Sequence, residues 1–350
     1  MIISKLTFRF VLAVLMLMAT ACGSDDENSA GEGAEVMILF NPNGLGDRSY
    51  NDNILEGVYS MRVKYARDPS VNVSIVVPTS NEHLLSSMQD WFSTQTTTRR
   101  LLILCSSFAA DCLATHPEWT KKDGDDILLL DTRHSRANFY TRFLSLYGAS
   151  HLSGQMVRLL GVSKSAVILA NNHDQAILNA AKGFAEGFRL QGGTFSETDD
   201  VRILSDQAGS GYDLADSLFR LSYTLDQQGY RFVYPLCGGS SQGLFRYTRH
   251  FLVLEGADPF YTCGMDVDQQ EYSRRVGFSV LKRYDLLVQD FVDKWLARQS
   301  QQLHLEQGIE SDYVDFVVAH GFEQYESVSQ PRLEQMMKAS IEAEQQFLNH

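Results

Sequence analysis

The sequence predicts an α/β protein of two units, each a parallel sheet flanked by helices, and three observations carry that expectation. The chain has 350 residues, about two domains by length. Its composition, 44% hydrophobic and 21% charged, supplies apolar material for sizeable cores and excludes wholesale disorder, fibrous repeats and a multi-pass membrane protein. From Glu35 onward short apolar runs alternate with amphipathic stretches, and the alternation restarts near residue 145 with no long linker between the two series.

Ahead of these units stands a leader. Lys5 and Arg9 precede an apolar run from Phe10 to Met18, far short of the ~20 residues that span a bilayer, and Ala19-Thr20-Ala21-Cys22 follows at once. Small residues before a lone Cys resemble a bacterial lipobox, which makes residues 1–21 a signal peptide and Cys22 the lipidated residue that anchors the chain without spanning the membrane. Residues 22–34 are polar and small, a flexible tether, and their Ser24-Asp25-Asp26-Glu27 start resembles the acidic export signal of some Gram-negative surface lipoproteins. The expected location is the cell envelope, on the periplasmic or outer-membrane surface.

In the first unit Val36 to Phe40, Val71 to Val77, Leu101 to Leu104 and Ile127 to Leu130 read as buried strands, because runs this apolar suit a sheet covered on both faces. Between them Tyr50 to Tyr65 and Glu82 to Thr94 read as helices. The second unit begins with a helix from Ala149 to Leu160. Strand Ala166 to Ala170, helix Gln175 to Leu190, strand Val201 to Leu204, helix Tyr212 to Gln228, strand Phe232 to Cys237 and helix Ser240 to Arg249 follow. Pro235 cannot donate to a ladder, which points to an edge or a bulge in its strand. Apolar runs at Phe260 to Cys263 and Val276 to Leu281 precede two closing helices, Leu286 to Arg298 and Arg332 to Leu348.

Net charge is −13, and no basic run with interleaved aromatics is present, so nucleic acid is not an expected partner. No Cys/His spacing argues for zinc, and neither a metal nor a cofactor is expected. Beyond Cys22 stand Cys105, Cys112, Cys237 and Cys263. If the runs ending in Cys237 and Cys263 are neighbouring parallel strands, the two thiols approach disulfide range, but buried free thiols fit the sequence equally well.

Three loops carry candidate chemistry. Asn41 to Asp52, rich in Gly, Asn and Asp at a strand's carboxyl end, presents hydrogen-bonding side chains and the aromatic face of Tyr50; the plainer reading is a turn in which Ser49 or Asn51 caps the next helix. Gly239-Ser240-Ser241-Gln242-Gly243 matches a nucleophile elbow, which makes a serine hydrolase an alternative, with Ser241 as nucleophile and Asp285 and His304 as partners; the plainer reading is a turn whose amides face a ligand. Asp266, after a strand, suits a sugar diol, and Lys282, after the next, suits a hydroxyl or phosphate oxygen. A fourth loop, Asn171 to Asp174, is read chiefly as a helix cap through Asp174.

Taken together, Gly46 to Asp52, Cys237-Gly238-Gly239, Gly264 to Gln269 and Leu281 to Asp285 resemble the basic membrane protein family of substrate-binding lipoproteins, which serve ABC transporters and include purine nucleoside receptors. The resemblance implies a type I periplasmic-binding-protein fold with lobes of 35–144 plus 270–307 and 145–269 plus 308–350, and hinges near Leu144, Asp268 and Leu305. It implies a non-catalytic receptor that captures a nucleoside-like small molecule between two lobes and delivers it to a membrane permease. The implied ligand-binding residues are Asn41, Asp47, Tyr50, Asn51, Asp131, Tyr212, Gly238, Gly239, Asp266 and Lys282. Tyr50 matches the family's stacking Phe, Asp131 an acidic residue near the base, Asp266 the ribose-binding carboxylate and Lys282 the group on the 5′ side, with Tyr212 as second aromatic. Asn41 stands where the family often has Asp, and Pro42 alters the loop, so base identity, or even a non-nucleoside ligand, stays open. A surface scaffold or sensor lipoprotein is the remaining alternative.

Overall fold

The computed structural model describes residues 33–42, 44–133, 138–250 and 259–349. The expected signal peptide, nearly all of the expected tether and the expected lipid site at Cys22 lie outside the described residues. The first series runs β1 (Ala34–Leu39), α1 (Tyr50–Tyr65), β2 (Val71–Val76), α2 (Asn81–Ser93), β3 (Arg99–Leu104), α3 (Ser107–Thr115), β4 (Asp125–Leu130) and β5 (Tyr140–Leu144). The second runs α4 (Tyr147–Leu159), β6 (Ser165–Asn171), α5 (Gln175–Leu190), β7 (Val201–Ser205), α6 (Ala215–Gln227), β8 (Phe232–Leu236), α7 (Ser241–His250), β9 (Tyr261–Asp266) and β10 (Val276–Lys282). Last come α8 (Tyr284–Leu296), β11 (His304–Gln307), β12 (Val314–Val318), α9 (Glu323–Glu326) and α10 (Gln330–Leu348).

These strands form two sheets, ordered β11-β5-β4-β3-β1-β2 and β12-β10-β9-β8-β6-β7. β12 runs antiparallel to β10, and the other pairings are parallel. Interior strands such as β6 and β10 are buried along their whole length, the reason they read as predominantly apolar runs. On the second sheet α4 and α5 cross at backbone contact: a Cβ on Gly187 would lie 1.9 Å from the His151 carbonyl oxygen, so glycine is required there.

The pairing overturns the expected boundary at 269/270. β10 registers with β9 and β12, and its Phe278 stacks on Phe316 (4.9 Å) and Phe232 (5.9 Å) inside the second core. The chain rejoins the first unit only after Lys282, where α8 lies on α1 and the Asp285 N–H donates to Asn53 (3.1 Å). The middle crossing is therefore at Arg283 and not near Asp268, which instead accepts from Gln270 and Ser279. The other crossings follow β5 and β11.

Pro235 is also placed differently, since β8 is an interior strand between β6 and β9. Its ladder to β9 is recorded only at Phe232 and Val233, so Pro235 lies beyond the point where an N–H is needed on that side. The same register sets Cys263 beside Tyr234, three residues short of Cys237, and all four described cysteines are free thiols.

Candidate functional site

A cavity of about 440 Å³ opens between the carboxyl ends of the two sheets, within the roughly 300–1,000 Å³ usual for small-molecule sites. All ten residues singled out from the sequence line it: Asn41, Asp47, Tyr50, Asn51 and Asp131 from the first unit, and Tyr212, Gly238, Gly239, Asp266 and Lys282 from the second. Their roles within it differ.

Asp47 is committed to the start of α1. Its carboxylate accepts from the N–H groups of Ser49 (2.9 Å), Asn51 (3.0 Å) and Asp52 (3.1 Å) and from the Asn51 amide (2.8 Å). Asp47, rather than Ser49 or Asn51, therefore caps this helix, and burial, set against these bonds, leaves its carboxyl somewhat above the ordinary range. The Asn41 amide makes only long bonds, to Asn51 (3.3 Å) and the Cys105 carbonyl (3.4 Å).

Asp131 and Lys282, carried over as addressing different parts of a ligand, bond to each other. Lys282 Nζ lies 2.8 Å from both carboxylate oxygens, and Tyr284 Oη donates to the same carboxylate at 3.1 Å. Burial alone would lower the ammonium pKa, but the Asp131 and Asp266 carboxylates outweigh it and hold Lys282 charged. Tyr50 sits against this cluster, its ring edge-to-face with Tyr284 (5.3 Å, 80°) and 5.5 Å from Lys282 Nζ.

Asp266 ends β9 with φ 68°, and Asp131 follows β4 with φ 58°, a left-handed conformation that non-glycine residues adopt at a cost. Ser49 Oγ donates to Asp266. Burial raises the Asp266 carboxyl to about 6, with Lys282 and Ser49 opposing that rise and Asp47 and Asp131 adding to it. Nearby, Gln269 Nε2 donates to the Arg48 carbonyl (2.7 Å), so the loop before α1 is tied to the second unit at two points.

Tyr212 precedes α6, not inside a helix as expected from the pattern. Ser240 pins its loop, donating to the Gly211 carbonyl (2.8 Å) while accepting from Leu214 N–H (2.7 Å). Tyr212 Oη donates to Asp174 (2.7 Å), which also caps α5 through the Ala176 N–H (2.9 Å). Gly238 has φ 49°, and a Cβ there would lie 3.2 Å from the Tyr212 ring.

The hydrolase constellation does not assemble. Ser241 is buried with Cys237 Sγ at 3.6 Å, Asp285 is held by Arg283 (2.9 and 2.8 Å), and His304 contacts Thr141 (3.1 Å) in the first sheet. Sequence reasoning missed Ser49, Tyr284 and the Ser106–Phe108 edge of the cavity. The last was signalled by its place directly after an apolar strand. Among the described residues no group of three or more His, Cys, Asp or Glu is arranged to hold a metal ion.

No protein-family model and no curated protein matches the sequence. Solved structures do. The chain is similar to an ABC transporter solute-binding protein from Aeropyrum pernix K1, with 17% identity over 89% of this chain and 86% of that one and a TM-score of 0.64. It is similar to GanP, a glucose-galactose binding protein from Geobacillus stearothermophilus, at 11% identity over 83% and 99% of the two chains and a TM-score of 0.57. It is also similar to a LacI family transcriptional regulator from Enterococcus faecalis V583 with bound ribose, at 12% identity over 81% and 98% and a TM-score of 0.59. The fold is thus of the type I periplasmic-binding-protein class, two parallel-sheet α/β units with flanking helices.

Proposed function

We propose that this chain is a non-catalytic solute receptor of the cell envelope, lipid-anchored through Cys22, that captures a neutral, nucleoside-like molecule between two lobes and delivers it to a membrane permease. One observation carries the reading: residues at or just beyond the carboxyl ends of four separate strands, Tyr50, Asp131, Gly238 and Asp266, converge on one cavity. In this reading Tyr50 offers a ring face to a base, Asp266 accepts from a sugar diol, and the Gly238 and Gly239 amides face the ligand. Lys282 and Asp131 act as one neutralised unit rather than at opposite ends of the ligand. Among the described residues, Asp47, Asp131, Asp174 and Asp266 line the cavity with Lys282 as their one cation, which favours a donor-rich neutral ligand over an anion. The residues quoted above also keep the likeness to the basic membrane protein family, and ABC solute-binding proteins are among the structural neighbours.

The lobes in this reading are 35–144 with α8 and β11, and 145–282 with β12 to α10, closing about the three crossings. A thermal-shift screen of the unlipidated chain against nucleosides, nucleotides, free bases and sugars tests it. A ligand at 100 times its Kd stabilises by about 2.7 kcal/mol. The expected result is a shift with a nucleoside that Asp266→Ala removes and the matching nucleotide does not produce. A shift with sugars alone would overturn the nucleoside assignment and leave the receptor reading to a different ligand class.

A further inference from the structure

The stacking role of Tyr50 uses its ring and leaves its hydroxyl unaccounted for. Tyr50 Oη is buried and, among the described residues, has no hydrogen-bond partner. Polar neighbours are not lacking, yet among the described residues none is bonded to it. Asp131 is held by Lys282 and Tyr284, Asp266 by Ser49, and Asp174 by Tyr212 and the Ala176 N–H. The adjacent Tyr284 supplies the contrast. It is fully buried behind the Tyr50 ring, and its hydroxyl is bonded to Asp131, whereas Tyr50 borders the cavity and its hydroxyl has no partner among the described residues.

Leaving a buried hydroxyl unbonded is costly, and such groups in folded proteins call for an explanation. Burial, reinforced by the Asp131 carboxylate, keeps the phenol protonated at any working pH, so it stands as a donor. A phenolic O–H lies in the plane of its ring. It therefore does not reach a group stacked on the same ring's face, and it addresses a part of the ligand beyond that group's edge.

We infer that Tyr50 Oη is a specificity-determining donor that bonds a ligand oxygen, a hydroxyl or carbonyl outside the stacked ring, and so separates ligands carrying that oxygen from analogues that lack it. The nature of the ligand rests on the nucleoside-like reading above; the unbonded hydroxyl does not. A site built to bond such an atom discriminates strongly against the analogue without it, because the buried donor is then left unpaired.

The test compares wild type, Tyr50→Phe and Tyr50→Ala by melting without ligand and by titration with the best nucleoside of the screen and its single-oxygen deletion analogues. Tyr50→Phe is expected to melt at or above wild type without ligand, since it removes a hydroxyl that has no protein partner. It is expected to bind the parent nucleoside about tenfold more weakly, the value of one lost bond. For one deletion analogue, wild type and Tyr50→Phe should bind equally, and Tyr50→Ala should weaken every compound because the stacking face is lost as well. Equal affinity of wild type and Tyr50→Phe for every compound overturns the proposal, as does a Tyr50→Phe protein that melts several degrees lower without ligand. If no nucleoside shifts wild type, it is the nucleoside reading that fails, and the ligand-free melting still decides: equal or higher upholds an unbonded hydroxyl, lower overturns it.

Discussion

Two carboxylates are buried near the crossings between the units, and the protein treats them in opposite ways. Glu344, near the end of α10, is 3% exposed and accepts from Ser145 Oγ (2.8 Å), the Gly148 N–H (2.9 Å) and the Ile309 N–H (2.7 Å). These donors flank the crossings after β5 and β11, so one side chain ties both together. Asp266, 9% exposed in the cleft, has the Ser49 hydroxyl as its one hydrogen-bond donor among the described residues, while the neighbouring Lys282 is bonded to Asp131. Burial pushes both carboxyls up; three donors pull Glu344 back, and Asp266 stays near 6. A carboxylate ringed by donors belongs to the frame, whereas one that keeps lone pairs toward a cavity is suited to accept donors arriving with a ligand.

The largest expected effect is at the crossings. Glu344→Ala strands two backbone N–H groups and a hydroxyl where chain segments cross, and should cost about 3–5 kcal/mol in denaturant unfolding. Asp266→Asn should move the other way. Asn tolerates φ 68° and still accepts from Ser49, so geometry is kept. The folded carboxyl titrates near 6 against an ordinary 3.8, so the native state binds this proton more tightly than the unfolded chain. The contribution of this group is therefore most favourable below about pH 4 and falls as pH rises through 6, leaving a penalty of about 3 kcal/mol at neutral pH. Asp266→Asn should unfold later than wild type at pH 7.5, lose that advantage at pH 4, and bind ligand more weakly. Unfolding curves in which both variants are destabilised alike would break the comparison.

How much of this was legible beforehand follows the same physics. Strands buried on both faces, β1, β3, β4 and β6, stand out as apolar runs. β5 (Tyr140–Leu144) and β11 (His304–Gln307) carry too few apolar residues to register, and β12 (Val314–Val318) is a short edge strand. Which sheet takes β10 is decided by Phe278 meeting Phe316 and Phe232, contacts that no local pattern encodes. The cavity was legible because parallel sheets place ligands at their strand ends, and most candidates lay at such an end or in the loop that follows it. The pairings inside it were not: Lys282 meets Asp131 across 151 positions and Ser49 meets Asp266 across 217.

A smaller effect asks whether the distinction between the two kinds of carboxylate is one of donors alone. Asp174 lies between the extremes, with the Tyr212 hydroxyl on one oxygen and the Ala176 N–H on the other. Its carboxyl is already raised, first by burial and then by the Asp131 charge, and Tyr212 is among the groups pulling it back. Tyr212→Phe removes that donor and keeps the ring beside Gly238, which turns Asp174 toward the condition of Asp266. The expected loss is about 1.5 kcal/mol at pH 8, the value of one hydrogen bond to a charged group. Because the carboxyl then titrates still higher, acidification protonates it earlier in the variant, and the loss should shrink as pH falls. Unfolding measured at pH 8 and again after acidification separates the cases: a loss that fades with acid ties the cost to an under-supplied carboxylate, while one that stays constant assigns it to ring packing and removes donor supply as the variable that sorts the cavity from the crossings.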